Sequence, residues 1–291
     1  MFKPGDLIEI TRKLHGTSGR TSHTKVFQGM KRTFWDKLFR REGTPIYDWG
    51  YVSGTRRTVL DTFDGGFYGS NEFRKQYHDF FEGKLLKGET VYYEIVGFTH
   101  DGGSIMGVCD NKKLKDKEFV KKYGEKTVFS YGCVPHPKTY TSYDENLTEV
   151  QEKQSDIYVY RMTMTNEDGE VVEYTPDQMR HRCMYMGVKT VPVHWYGFIP
   201  EHPGSKEDDT ISAGEWVLNK AEQFYDGEEP IDPTHIREGV VVRVINRPTF
   251  TAYKHKNFQF KVLEGIIKET AEAPDMEEAD GLDEDFEAET M

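Results

Sequence analysis

Cysteines and long apolar runs are scarce in this sequence. Only three cysteines occur among 291 residues, and no apolar N-terminal run resembles a signal peptide or a membrane-spanning helix. These absences are typical of a protein of the reducing cytoplasm. We expect a monomeric, cytoplasmic protein without membrane contact, in which the thiols of Cys109, Cys133 and Cys183 are buried.

The common nucleotide-binding and hydrolase motifs are also missing. No G-x4-G-K-[ST] pattern occurs, because His78 stands where a glycine would have to precede Gly83-Lys84. No Rossmann glycine pattern follows a predicted strand, and no G-x-S-x-G is present. P-loop, Rossmann and nucleophile-elbow enzymes are therefore excluded.

Positive charge is in short supply overall, but the deficit is local. The formal net charge is −12, and the segment Ile266–Met291 holds eleven Asp and Glu against the single Lys268, a net of −10. The remainder of the chain is thus close to neutral, and the low pI does not exclude a nucleic-acid partner. We predict one domain over residues 1–267 and an acidic, disordered tail over residues 268–291.

Aromatic and β-branched residues, in contrast, are plentiful and lie in strand-like runs. Strands are predicted at Leu7–Thr11, Glu89–Phe98, Ile157–Thr165 and Gly239–Ile245. Helices are predicted from an apolar stripe over Phe73–Leu85, from a capped start at Thr175–Gln178 with a stop at Gly187, and from a capping box at Ser212–Glu215. Because helices and strands do not alternate regularly, the fold class expected is α+β.

Six short motifs follow one another along the chain. They are Lys13-Leu14-His15-Gly16, Ser53-Gly54-Thr55-Arg56-Arg57, Tyr92-Tyr93-Glu94-Ile95-Val96-Gly97, Ile157-Tyr158-Val159-Tyr160, Glu238-Gly239-Val240-Val241-Val242-Arg243 and Tyr253-Lys254-His255-Lys256-Asn257. This order resembles the signature of the covalent nucleotidyltransferase superfamily, which comprises polynucleotide ligases and mRNA capping enzymes. The K-x-H-G start, with His15 where DNA ligases usually carry Asp, is similar to ATP-dependent RNA ligases that seal nicks in double-stranded RNA.

The resemblance implies a fold and a reaction. The fold would be an adenylyltransferase, or ATP-grasp-like ligase, domain of packed, mainly antiparallel sheets with flanking helices. Lys13 would take AMP from ATP and pass it to an RNA end that carries a 5′-phosphate, which is then joined to a 3′-OH. The expected cofactors are ATP and Mg²⁺, and the expected partner is RNA, as a nicked duplex.

The chemistry explains why such residues are needed. Attack on the α-phosphate requires a neutral amine, whereas an exposed lysine, with a pKa of about 10.4, is almost fully protonated at neutral pH. Burial and nearby cations favour the neutral amine. The resemblance places Lys254 and Lys256 there, where they would also offset charge on the α-phosphate.

The remaining roles are implied by the resemblance alone. Glu238 would bind the metal, and His15 would orient the pyrophosphate or the RNA phosphate. Glu94 would approach the ribose, and Tyr160 would stack on adenine, although Tyr158 or a core aromatic is an alternative. Either Arg56 or Arg57 would contact phosphate, and the sequence does not decide between them.

Ordinary structural roles remain open for the same residues. Lys13 could be a solvated lysine in a turn, Glu238 a carboxylate at a strand start, and Glu94 a water-facing residue of an edge strand. A DNA ligase, a capping guanylyltransferase and a pseudoenzyme that only binds nucleotides or RNA ends are the rival functions.

Two departures from the family pattern are visible. Relatives commonly carry further elements before the lysine motif, and a domain that grips nucleic acid after the last motif. Here Lys13 lies near the first residue, and only the acidic tail follows Gly265. We therefore expect a minimal enzyme, a shortened chain, or one that relies on a partner for its grip on nucleic acid.

Overall fold

The computed structural model describes residues 2–138, 142–143, 149–204, 211–265, 267–268 and 271–272. Almost all of the predicted tail, residues 268–291, lies outside the described residues. The chain divides into two compact units. Unit 1 is built from Met1–His15, Met106–Gly132 and Pro192–Met291, and unit 2 from Gly16–Ile105 and Cys133–Val191.

The described residues contain helices and many strands. The helices are α1 (Phe34–Leu38), α2 (Glu72–Phe81), α3 (Lys117–Tyr123), α4 (Pro176–Met186), α5 (Ala213–Glu222) and α6 (Phe258–Glu264), and a 3-10 helix spans Asn111–Leu114. The strands are β1 (Leu7–Lys13), β2 (Thr17–Lys31), β3 (Thr44–Gly54), β4 (Val59–Leu60), β5 (Glu89–Gly97), β6 (Cys109–Asp110), β7 (Lys126–Thr127), β8 (Ser142–Tyr143), β9 (Glu149–Val150), β10 (Ser155–Thr165), β11 (Val171–Glu173), β12 (Lys189–Thr190), β13 (Val193–Phe198), β14 (Gly239–Val244), β15 (Thr251–Lys256), β16 (Ile267–Lys268) and β17 (Ala271–Glu272).

Unit 1 is organised around a four-stranded antiparallel sheet in the order β13-β1-β14-β15. One face of the sheet packs against α5 through a cluster of buried aliphatic side chains, which includes Ile8, Ile10, Val217 and Val242. Because side chains alternate along a strand, Thr11 and Lys13 point to the opposite face. The hydrophobic core therefore fixes which face of β1 carries the polar residues.

Unit 2 contains a larger sheet, in the order β11-β10-β5-β2-β3-β4, with β12 paired to β10. All of these pairings are antiparallel except the one between β10 and β12. Helix α2 lies under this sheet, where Phe81 packs against Tyr93 with ring centroids 5.4 Å apart. Both side chains are almost completely buried.

The structure confirms the α+β class and the four predicted strands, which correspond to β1, β5, β10 and β14. It also confirms the three predicted helices as α2, α4 and α5. Helix α4 begins with a full capping box at Thr175 and ends at Gly187 in the left-handed conformation. The three cysteines are free thiols and are buried. No helix among the described residues combines the length and the apolarity needed to cross a membrane.

Candidate active site

The candidate site of unit 1 lies where three strands place polar residues in one row. In the β ladders, Lys13 of β1 pairs with Gly239 of β14, which in turn pairs with Lys256 of β15. Paired residues share a face of the sheet, so the two lysines project on the same side. Glu238 directly precedes Gly239 and enters the site from the start of β14.

A glycine is required at position 239. Its φ angle is +149°, in the region that side chains disfavour, and an added Cβ would stand only 2.1 Å from the carbonyl oxygen of His255. The close approach of β14 and β15 at this point also lets the backbone N–H of Asn257 donate to the carbonyl of Glu238, at 2.8 Å. The Glu238-Gly239 pair thus sets the position of the carboxylate.

Lys13 and Glu238 form a buried ion pair. Lys13 is 7% exposed and Glu238 is 0% exposed, and the lysine Nζ donates a hydrogen bond to Oε1 of Glu238. The Nζ of Lys256 lies 3.5 Å from the same oxygen. Burial acts to raise the pKa of Glu238, but the charge of Lys13, together with His15 and Lys256, holds it well below its usual value. Glu238 is therefore an ionised carboxylate shared by two cations.

His15 is held between aromatic rings beside this pair. Its backbone N–H donates to the hydroxyl of Tyr131 at 2.7 Å, and the edges of Phe129 and Phe260 approach its ring at centroid distances of 4.7 and 4.8 Å. Its Nδ1 lies 3.7 Å from Oε1 of Glu238. The imidazole is thus fixed in orientation by packing rather than by a strong hydrogen bond of its own ring.

Glu264 is a member of the site that the sequence analysis does not identify. It is the last residue of α6, and its Oε2 accepts from Nζ of Lys256 at 3.0 Å while its Oε1 lies 3.4 Å from Nδ1 of His15. Burial raises the pKa of Glu264 above its usual value, although His15 and Lys256 oppose that shift. The helix begins directly after Lys256, because Asn257 caps it by accepting from the backbone N–H of Gln259.

The donor set of this cluster fits a divalent cation. Oε2 of Glu238 and Nδ1 of His15 are buried and have no hydrogen-bond partner among the described residues. One ligand atom from each of His15, Glu238 and Glu264 falls within a group whose members all lie within 4.8 Å of one another. Carboxylate oxygens suit Mg²⁺ or Mn²⁺. The two lysines already balance the two carboxylates, so the positive charge of an added cation would have to be balanced by phosphate.

Lys254 is placed differently from Lys256. It pairs with Val241 one ladder step away, on the same face of the sheet as Lys13, and it is exposed to solvent. One step of two residues corresponds to about 6.8 Å along a strand. Its predicted role next to the amine of Lys13 stays a prediction, whereas Lys13, His15, Glu238 and Lys256 are brought together directly.

The other predicted residues belong to unit 2. Glu94 of β5 pairs with Ser18 of β2, and the hydroxyl of Tyr160 lies 3.1 Å from Oγ of Ser18. Burial, with a smaller contribution from the charge of Glu94, raises the pKa of Tyr160 to about 12. The alternative ring, Tyr158, is only 4% exposed, whereas the ring of Tyr160 is half-buried. Tyr160 is therefore the more accessible of the two aromatic candidates.

Arg56 and Arg57 lie in the turn between β3 and β4, and both side chains are exposed. The turn is held by Thr55, whose hydroxyl accepts from the backbone N–H groups of Arg57 and Thr58 at 3.3 and 3.1 Å. Both guanidinium groups are thus free of burial constraints, and the geometry does not favour one over the other.

Comparison with known proteins gives only distant similarity. No protein-family model matches the chain, and no curated protein matches it. A mutant of Naegleria gruberi RNA ligase with ATP and Mn aligns with a TM-score of 0.44 and 12% identity, over 89% of this chain and 52% of that chain. The same ligase with PPi aligns with a TM-score of 0.43 and 11% identity, over 89% of this chain and 51% of that chain.

This chain therefore spans about half the length of the Naegleria gruberi ligase chains that it matches. Because the identities and the TM-scores are low, the function of the chain has to be argued from its own side chains.

Proposed function

We propose that the chain is an ATP-dependent RNA ligase that forms a covalent lysyl-AMP intermediate on Lys13. The observation that carries the proposal is the buried cluster at the end of β1, in which Lys13 contacts Glu238 and both lie beside Lys256 and His15. Burying two ammonium groups and two carboxylates in one place costs several kcal/mol of desolvation for each ion, at an order-of-magnitude level. Such an arrangement is typical of a reaction centre rather than of a stabilising core.

The first step would be a displacement at phosphorus. The neutral Nζ of Lys13 attacks the α-phosphorus of ATP, a P–N bond forms, the bond between the α-phosphorus and the bridging oxygen breaks, and pyrophosphate leaves. The positive charge of Lys256 would stabilise the charge that builds up on the α-phosphate oxygens. In the second step the AMP passes to the 5′-phosphate of the RNA, and Lys13 is regenerated. The 3′-OH then displaces AMP and seals the strand.

Lys13 has to leave Glu238 before it can react. The ion pair stabilises the ammonium form of Lys13, which is not a nucleophile. Once the ammonium group of Lys13 no longer contacts Glu238, it stands beside the ammonium group of Lys256. The repulsion between the two charges then favours loss of a proton from one of them. Glu238, with His15 and Glu264 near it, would hold a divalent cation that neutralises phosphate charge when bound.

The nucleoside contacts are proposed for unit 2. Glu94 would accept a hydrogen bond from the ribose, and the half-buried ring of Tyr160 would stack on adenine. Arg56 or Arg57 would bind phosphate by bidentate hydrogen bonds. RNA in place of DNA is proposed on the K-x-H-G-T motif around His15, and ATP and Mg²⁺ are the proposed cofactors.

The proposal is tested by incubating the protein with α-labelled ATP and Mg²⁺, followed by denaturing electrophoresis. Label is expected to stay on the wild-type protein and to be lost in Lys13→Ala, while Lys75→Ala, which removes an exposed lysine of α2, keeps it. Labelled GTP is expected to label poorly, and efficient labelling by GTP would instead indicate a capping guanylyltransferase. Complete absence of label would favour a protein that binds nucleotides or RNA ends without chemistry.

The choice of strand is tested separately. Nicked duplexes that carry RNA or DNA on the 3′-OH side of the nick are offered to the adenylated protein, and sealing is followed on a denaturing gel. Faster sealing of the RNA-containing nick supports the proposal. Equal or faster sealing of the all-DNA nick would instead identify a DNA ligase.

A further inference from the structure

A groove lined mainly by residues with polar side chains opens on one face of the sheet of unit 2. It encloses about 210 Å³, and its lining includes Arg20, Ser22, Thr24, Val59, Thr90 and Tyr92. Successive residues of a strand alternate between faces, so Arg20, Ser22 and Thr24 lie on the same face of β2 as Ser18. The groove therefore shares its face of the sheet with Ser18, the residue that pairs with Glu94.

The groove carries positive charge without a counter-ion. Of the described residues that line it, Arg20 alone is charged. The guanidinium of Arg20 has no hydrogen-bond or ion-pair partner among the described residues, and the residue is half-buried. Its side chain crosses Gly54 of β3, where an added Cβ would stand 2.9 Å from Nε of Arg20. Because Gly54 has no side chain, the guanidinium of Arg20 has room to lie against it. A partly desolvated guanidinium that has no carboxylate partner is suited to binding a phosphate.

The rest of the lining is suited to a sugar. Ser22 and Thr90 face each other across the β2–β5 ladder, with their hydroxyls 2.8 Å apart, and the hydroxyl of Thr24 lies further along β2. Tyr92, the cross-strand partner of Arg20, contributes an aromatic side chain to the lining. The volume is below the range of about 300–1,000 Å³ for sites that take a whole drug-sized ligand. One sugar–phosphate unit of a longer chain is a better match than a free nucleotide.

The strand register shows how the groove relates to Glu94. The β2–β5 ladder runs from the pair Ser18 and Glu94 to the pair Arg20 and Tyr92, and then to the pair Ser22 and Thr90. Each of these steps covers about 6.8 Å along the strand, about twice the axial rise of roughly 3.4 Å per phosphate in one strand of a double helix. A nucleic-acid strand that ended near Glu94 would therefore place a phosphate within reach of Arg20.

We propose that this groove binds the sugar–phosphate backbone of the RNA strand, and that Arg20 is its phosphate-binding residue. The inference rests on the proposed function, because it takes Glu94 as a contact of the nucleotide. Ser22, Thr24 and Thr90 would hydrogen-bond to ribose hydroxyls, including the 2′-OH that distinguishes RNA from DNA. Tyr92 would pack against the sugar or its base.

The same part of β2 offers a matched control on its other face. Lys25 projects away from the groove, and its Nζ lies 6.0 Å from the ring centroid of Trp49 in β3. Lys25 is exposed, carries the same charge as Arg20 and belongs to the same strand. If charge on β2 acted only by general attraction, Lys25→Ala and Arg20→Ala would weaken RNA binding equally.

The experiment measures the affinity of the full chain for a fluorescein-labelled, 5′-phosphorylated single-stranded RNA by anisotropy, over a series of salt concentrations. Arg20→Ala is expected to weaken binding about tenfold. The slope of log affinity against log salt concentration is expected to fall by the amount due to roughly one phosphate contact. Arg20→Lys is expected to recover only part of the affinity, since bidentate contact is lost. Lys25→Ala is expected to bind within about twofold of the wild-type protein.

Three outcomes would overturn the inference. The first is equal affinity of Arg20→Ala and the wild-type protein, and the second is a larger loss in Lys25→Ala, which would place the strand on the opposite face. The third is a loss of labelling by α-labelled ATP as large as the loss of RNA affinity, which would assign Arg20 to ATP instead. Absence of label on the wild-type protein would count against the proposed function, and the anisotropy result would still decide whether the groove binds RNA.

Discussion

Lys13 donates a hydrogen bond to one oxygen of Glu238, Oε1, while the other oxygen, Oε2, has no partner among the described residues. The pair therefore leaves half of a buried carboxylate unsatisfied. An unpaired buried acceptor costs about 1–3 kcal/mol, so the arrangement is a poor way to stabilise a fold. It suits the roles proposed for the two residues, in which Glu238 binds a cation and Lys13 is released from the ion pair.

The coupling between Lys13 and Glu238 should be large. Lys13→Met is expected to lower the free energy of unfolding by roughly 3 kcal/mol, because Glu238 then keeps only Lys256 as a nearby lysine. The double variant Lys13→Met with Glu238→Gln is expected to lose less than the two single variants added together, by about 1–3 kcal/mol. Urea denaturation of the four proteins measures this coupling energy.

The exposed pair of Lys75 and Asp79 provides the control for that cycle. Its atoms lie 2.5 Å apart, but the two side chains are 43% and 50% exposed. Such a pair on a helix surface is expected to couple only weakly, because solvent screens both charges. A buried pair that couples no more strongly than this exposed pair would contradict the account.

Glu264 is expected to matter for the proposed adenylation although none of the six sequence motifs contains it. Glu264→Gln removes a negative charge that contacts Lys256 and faces His15. We therefore expect the rate of label incorporation to fall by roughly 10–100-fold. Glu215→Gln, at an exposed position of α5, serves as the matched control. The ATP dependence of single-turnover labelling separates a loss of rate from a loss of ATP affinity. An unchanged rate in Glu264→Gln would remove the residue from the site.

The free energy of unfolding is expected to fall at acidic pH because His194 becomes protonated. Burial, and then the charges of Arg12 and Arg237, lower the pKa of His194 from 6.5 to about 4. The unfolded chain therefore binds a proton at a higher pH than the folded chain. The contribution of the neutral imidazole to the free energy of unfolding is fully present above pH 6.5 and is lost as the pH falls to about 4.

His194→Phe tests this contribution, because a phenyl ring can keep the stacking on Phe224, where the centroids lie 5.3 Å apart. The melting temperature of this variant should fall less between pH 6.5 and pH 4 than that of the wild-type protein. His181→Phe, at an exposed position of α4, should follow the wild-type curve. Parallel curves for the wild-type protein and His194→Phe would show that the residue does not control acid stability.

The start of α4 gives a local test of the fold. The hydroxyl of Thr175 accepts a hydrogen bond from the backbone N–H of Gln178, and the side-chain oxygen of Gln178 accepts one from the backbone N–H of Thr175. Thr175→Ala is expected to lower the free energy of unfolding by about 0.5–2 kcal/mol, and Thr175→Ser by much less. Chemical denaturation measures both, and equal stability of the alanine and serine variants would mean that the cap is unimportant.

The features that the sequence predicts well depend on short stretches of chain. The cap at Thr175 and the stop at Gly187 follow from residue types within a turn of each other, and the strand alternation around Ile8 and Ile10 follows from one buried face. The ladder of Lys13, Gly239 and Lys256 is consistent with the motif order, although only the structure gives its register.

The features that the sequence does not predict depend on contacts between distant segments, or lie in strands whose residues are not buried and so show no apolar alternation. Glu264 and Tyr131 reach His15 through tertiary packing, and no local pattern marks either of them. The long pair β2 and β3 is missed because no residue from Lys25 to Asp48 is buried, so no apolar alternation is imposed on it. Arg20 is missed for a related reason, since its place depends on Gly54 of the neighbouring strand.

The central claim is that the amine of Lys13 becomes covalently bound to AMP, and peptide mass mapping tests it most directly. The protein is incubated with ATP and Mg²⁺, digested under conditions that preserve phosphoramidates, and compared with Glu238→Gln and with protein kept without ATP. The account predicts one adenylate, located on the peptide that contains Lys13 and strongly reduced in Glu238→Gln. An adenylate on Lys256 or on any other lysine, with the Lys13 peptide unmodified, would contradict it.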